Sequence, residues 1–151
     1  GLSVLIVNFL LQITGVYHRA RAEREVLSNA RLLLGTANKS ISQAREVYMP
    51  TSRFNTDLGQ LSLSTALGAQ IEHTASYLDF WVDNGRLWTR QEGGGAVALS
   101  AASVRIGKFR LERIVQSLGR EAVKVTLEVS SVSRFPVTST LNLTTALRGN
   151  Y

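Results

Sequence analysis

The first third of the chain shows two hydrophobic patterns in succession, and the first of them is apolar on every side. From Leu2 to Val16 no residue is charged, and the apolar residues surround the helix instead of forming one stripe. A helix of this kind has to be buried in protein or lipid. At about 1.5 Å per residue it covers roughly 24 Å, which is less than the roughly 30 Å of a bilayer core. The side chains expected to contact lipid or neighbouring helices are Leu2, Val4, Leu5, Ile6, Val7, Phe9, Leu10, Leu11, Ile13 and Val16.

The second pattern is amphipathic. Charged residues begin at His18 and Arg19, and apolar residues then recur at spacings of three and four as far as Tyr48. This spacing places them on one helical face, which we expect to pack on a sheet. The residues predicted to form this face are Leu27, Ala30, Leu34, Ala37, Ile41 and Ala44.

Together the two patterns predict one continuous helix over residues 1–49, because no proline occurs before Pro50. Residues 1–17 would be its membrane or filament-core part, and residues 18–49 its amphipathic part. Such a helix is about 73 Å long, more than a domain of this size can cover. Its first third therefore needs lipid or other helices as a partner.

Residues 50–151 show the two-residue alternation of half-buried strands. Leu61 and Leu63 alternate with polar neighbours, and the alternation is long and regular over residues 123–129 and 137–147. The pattern leaves residues 66–73 without an assignment. We predict six or seven antiparallel strands and an α+β fold, in which a long N-terminal α-helix packs on an antiparallel β-sheet domain.

A β-hairpin is the strongest local prediction. Asn84-Gly85 between two alternating runs is typical of a two-residue type I′ turn. This turn places Trp81 opposite Trp88 and leaves oppositely charged residues facing each other on both sides of them. The tryptophan pair could serve as a partner-binding platform, since exposed aromatic residues are common in binding hot spots. It could equally be covered by a second layer of structure, and the sequence leaves both interpretations open.

A change of parity predicts a bulge further along the chain. Val104 and Ile106 place their apolar side chains at even positions, whereas Phe109 and Leu111 place them at odd positions. A β-bulge at Gly107 would produce this change, because it inserts one extra residue into the strand.

The composition excludes some classes of chemistry. The chain has no cysteine, which rules out disulfides, thiolate catalysis and cysteine metal sites. Seventeen Lys and Arg against eleven Asp and Glu give a net charge of +6. A solvated basic surface is the simpler interpretation, and nucleic-acid binding is the alternative. The basic residues that would carry it are Arg105, Lys108, Arg110, Arg113, Arg120, Lys124 and Arg134.

No arrangement of residues predicts catalysis. The two histidines, His18 and His73, are far apart in the sequence, and we expect His18 at the end of the apolar helix and His73 with Glu72 in an exposed loop. The three glycines at 93–95 lack the Lys and Ser/Thr of a phosphate-binding loop. We therefore predict no enzyme activity, no metal site and no cofactor.

The order of these parts resembles the type IV pilin-like superfamily, and within it the minor pseudopilins of type II secretion (the J-like kind) and related minor pilins. Three stretches carry the resemblance: REVLSNARLLLGTANKSISQAREV at 24–47, NGRLWTRQEGGGAVALS at 84–100, and the closing strands that end in TTALRGNY at 144–151. The family's mature chains begin with an aromatic residue and carry a nearby glutamate. Gly1-Leu2-Ser3 shows neither, so we expect the native helix to start upstream.

The resemblance implies a structural subunit. Its helix would lie in the cytoplasmic membrane as a single pass, with the sheet domain in the periplasm or outside the cell. Its partners would be membrane lipid, then other pilin-like subunits in a secretion pseudopilus or type IV pilus, and secreted protein substrate. Two alternatives remain: a DNA-binding minor pilin for DNA uptake, and a membrane-anchored extracytoplasmic domain without a filament role.

Overall fold

The computed structural model describes residues 2–65, 76–115, 117–133 and 136–149. The chain begins with a 42-residue helix, α1 (Leu2–Gln43). The strands follow in the order β1 (Ala44–Val47), β2 (Gln60–Thr65), β3 (Ser76–Asp83), β4 (Arg86–Gln91), β5 (Val97–Ala98), β6 (Val104–Val115), β7 (Glu121–Ser131) and β8 (Thr138–Ala146). Short 3₁₀ turns lie at Met49–Thr51 and Ser117–Gly119.

The strands form two antiparallel sheets, each with its strands in sequence order. Sheet A has the order β1-β2-β3-β4-β5, and sheet B has the order β6-β7-β8. The predicted α+β class is therefore confirmed. The described part of the chain contains eight strands instead of six or seven. The predicted helix includes the residues of β1, and β5, with two residues, is too short to show an alternation.

The helix ends earlier than predicted. It stops at Gln43 instead of residue 49, and Ala44 is the first residue of a strand instead of part of the helical face. Ala44 and Val47 are both buried, and their spacing of three fits a helix. A register shift in the pairing of β1 with β2 produces the same spacing, because the extra residue of a bulge returns position 47 to the face of position 44.

The second half of α1 packs on sheet B, mainly against β7 and β8. The buried residues of this half are Ala22, Val26, Ala30, Leu33, Leu34, Ala37 and Ile41. The predicted face is thus correct for Ala30, Leu34, Ala37 and Ile41. Leu27 is only half-buried, and Val26 beside it is fully buried instead. The helix is rotated slightly from the predicted orientation, which brings Val26 under the sheet.

The hairpin and the bulge form as predicted. Trp81 pairs with Trp88, and every other pair of β3 and β4 follows the predicted register. Asn84 and Gly85 have φ angles of 52° and 73°, as a type I′ turn requires. The register of β6 against β7 shifts at Gly107. Consequently the apolar side chains on both sides of the bulge enter one core shared by α1 and both sheets.

Candidate functional site

The first part of α1 extends away from the core and exposes its apolar side chains. We call residues 3–21 the rod, because Ala22 is the first buried residue of the helix. Phe9 is 62% exposed and Leu10 is 56% exposed. The same holds for every other predicted lipid or filament contact whose side chain is described, namely Val4, Leu5, Ile6, Val7, Leu11, Ile13 and Val16.

This exposure has a cost in water. Exposed apolar area is unfavourable by about 25 cal/mol per Å², and monomeric soluble proteins rarely show a large contiguous apolar patch. Because the apolar residues surround the rod, one flat partner would cover only part of them. The geometry therefore favours an environment that encloses the rod, such as lipid or several helices. Among the described residues, no helix is both long and apolar enough to cross a membrane.

A groove of about 560 Å³ lies where the rod joins the folded domain. Its lining residues are Leu11, Thr14, Gly15, His18, Arg21, Ala22, Glu25 and Ser133. His18 packs edge-on against Tyr17, and Arg21 lies 3.7 Å from the Glu25 carboxylate. Within the described ranges, no three His, Asp or Glu side chains are grouped as metal ligands would be. His73 and Glu72 lie outside the described residues.

The tryptophan pair on the outer face of sheet A is half-buried by its own hairpin. The Arg86 guanidinium lies 5.6 Å from the Trp88 ring centroid, and the Arg90 guanidinium lies 6.0 Å from that of Trp81. Arg90 also lies 3.8 Å from the Asp79 carboxylate, as the hairpin register predicts. These contacts are cation–π interactions, which stabilise an exposed site by about 0.5–1 kcal/mol. They hold the two rings on the outer face of the hairpin, and the partner-binding role of Trp81 and Trp88 stays a prediction.

The basic residues proposed for nucleic-acid binding lie largely on sheet B, where acidic residues accompany several of them. Arg110 lies 3.5 Å from Asp57, and Lys124 lies 3.7 Å from Glu112. Arg113 forms an ion pair with Glu121. Arg134 lies outside the described residues. The ion pairs reduce the positive charge that these residues could offer to phosphates.

The chain matches no protein-family model, no curated protein and no solved structure.

Proposed function

We propose that this chain is a non-enzymatic subunit of a pilin-like filament, of the minor pseudopilin or minor pilin kind. In this proposal the rod lies in the cytoplasmic membrane before assembly and among the helices of other subunits afterwards. The sheet domain stays outside the membrane, on the periplasmic or extracellular side. The filament would support protein secretion.

The observation that carries the proposal is the contrast between the two halves of one helix. From Ala22 onward one apolar face of α1 is buried on sheet B and Leu32 on the opposite face stays exposed, whereas from Val4 to Val16 the apolar residues are exposed on every side. A continuous helix that is anchored at one end and apolar all round at the other is suited to enter lipid or a helix bundle. Lipid tails and apolar side chains are similarly apolar, so transfer between them is nearly neutral per unit area. An assembly machine could therefore drive the exchange at moderate cost.

Site-specific photo-cross-linking in cells that make the protein tests this proposal. The chain offers a matched pair of positions: Leu10 in the rod and Leu32 beyond it, both exposed leucines of the same helix. We expect a cross-linker at Leu10 to capture lipid before assembly and the apolar helix of another pilin-like subunit in the filament. The same cross-linker at Leu32 should not capture that helix.

Two results would speak against the proposal. If Leu10 captures only lipid under every condition, including active secretion, the chain is a membrane-anchored domain without a filament role. If Leu10 captures the sheet domain of its own chain, the rod folds back and has no external partner.

A further inference from the structure

In the described part of the chain, three of the four sheet edges carry features that oppose strand addition. At β6 the loop before β2 covers the outer edge around Phe109, since Phe109 N donates to Asp57 O (2.7 Å) and Gly59 N donates to Phe109 O (2.9 Å). At the first edge of sheet A, β1 is short and bulged, and Ala44 O accepts a hydrogen bond from Arg148 N (3.1 Å). At its other edge, β5 has only two residues.

The fourth edge, β8, lacks the features that usually protect a strand. It runs for nine residues without a charged residue or a proline, and it pairs with β7 without a bulge. Between described residues, no backbone hydrogen bond joins β8 to any element other than β7. Native proteins normally shorten, charge, bulge or cover such an edge, because its unpaired N–H and C=O groups can accept another strand. β8 is therefore suited to β-strand addition.

The side chains of β8 specify what kind of strand fits. On the face toward α1, Leu141 and Leu143 are only half-buried, whereas Leu127 and Val125 opposite them on β7 are 1% exposed. A strand added beside β8 would cover the two leucines if it carried apolar residues on that face. On the other face the exposed residues of β8 are uncharged, namely Thr138, Thr140, Asn142, Thr144 and Ala146.

We propose that the outer edge of β8 docks an extended, uncharged strand from a different subunit of the same filament. The strand continues sheet B and places apolar side chains beside Leu141 and Leu143. This inference rests on the proposed function, because it takes the partner from the assembly that the rod enters.

A second copy of the chain does not fit this site. If two β8 strands paired antiparallel, a two-fold axis perpendicular to the sheet would relate the copies and point their rods in opposite directions. Two such rods could not enter the same membrane or the same parallel bundle. If the strands paired in parallel, one copy would be turned over, and its threonines would lie beside Leu141 and Leu143 of the other. The other described edges of a second copy are short, bulged or covered, so we take the strand from another polypeptide.

The test uses photo-cross-linkers at Asn142 and, in a separate full-length variant, at Leu10, both in cells that make the protein. We expect Asn142 to capture a protein that Leu10 also captures. Mass spectrometry of the cross-linked peptide should identify an uncharged segment with apolar residues at alternate positions. Adding lysines to the edge with T140K and T144K should lower the yield at Asn142 by about tenfold or more, because edge lysines oppose strand addition. The yield at Leu10 should not change.

The matched control is T126K on β7, which adds a lysine to the same sheet face but not to the edge. It should leave the yield at Asn142 unchanged. If Leu10 captures another subunit and Asn142 captures no protein, the docking site is wrong and the proposed function stands. Capture of a second copy, or of a helical or charged segment, at Asn142 also overturns the inference. If neither position captures a subunit, the proposed function fails as well.

Discussion

Two adjacent leucines of α1 test whether its second half is held by the sheet. Leu33 is 1% exposed and lies in the shared core, whereas Leu32 is 63% exposed. Replacing either residue with alanine removes the same three carbon atoms from the same turn of the helix. Alanine also has the higher helix propensity, by the same small amount at both positions. Any difference in the free energy of unfolding between L33A and L32A therefore reports how deeply each leucine is buried.

The magnitude follows from what each side chain loses. Three buried carbons at about 0.8 kcal/mol each give about 2.4 kcal/mol for L33A, and the remaining cavity raises this to about 3–4 kcal/mol. For L32A we expect a change within about 0.5 kcal/mol, as for most surface substitutions. Because 1 kcal/mol shifts the Tm of a chain of this length by roughly 2–4 °C, L33A should melt about 6–16 °C lower.

Circular dichroism during thermal and urea unfolding measures both variants, in a mild detergent that covers the rod. The helical signal before the transition should be the same for L32A, L33A and the unsubstituted chain. A loss of less than about 1 kcal/mol for L33A, or an equal loss for L32A, would refute the packing of α1 on sheet B.

Four further substitutions test three glycines and the rod. G59A should lower the free energy of unfolding by about 1–3 kcal/mol in urea unfolding, because a Cβ there would lie 2.8 Å from Arg53 O and 3.0 Å from Phe109 O. G107A should lower the free energy of unfolding by less than G59A does, since its Cβ would meet only the movable end of the Glu128 side chain. G35A should raise that free energy by about 0.5–1 kcal/mol, because alanine is the better helix former and a Cβ at Gly35 meets no atom within 4 Å. L10K should abolish recovery of the subunit in sheared filaments while its Tm in detergent stays the same, because a charge within an apolar layer costs about 2.5–3.5 kcal/mol. A larger loss of unfolding free energy for G107A than for G59A, or any loss for G35A, would contradict the expectations for the glycines. Unchanged recovery of L10K in sheared filaments would contradict the expectation for the rod.

The hairpin register, the bulge at Gly107 and the exposure of the rod could be predicted from the sequence. The Asn84-Gly85 turn fixes the register of the hairpin, because a two-residue loop leaves only one pairing of the flanking strands. The parity change at Gly107 located the bulge for a similar reason. The exposure of the rod also followed from sequence, because apolar residues on all sides of a helix cannot be covered by one small domain.

The remaining features depend on tertiary structure. The spacing of Ala44 and Val47 is the same in a helix and in a bulged strand, so the end of α1 depends on whether β2 is available to pair. Val26 and Leu27 are neighbours in a wide apolar stripe, and the position of the sheet decides which of them is buried. The open edge of β8 has no sequence signal of its own, because it depends on the order of strands in sheet B.

The distance between Leu5 and Leu32 tests the central claim, that α1 is one continuous helix whose first part leaves the folded domain. The two leucines are 67% and 63% exposed, and the chain has no cysteine, so two introduced cysteines carry spin labels without competing sites. They are 27 positions apart in the sequence, which corresponds to about 40 Å at 1.5 Å per residue. Pulsed electron paramagnetic resonance should give one narrow distribution near about 40 Å, widened only by the label linkers. A main distance below about 25 Å would mean that the helix breaks and the rod folds back, which contradicts the account.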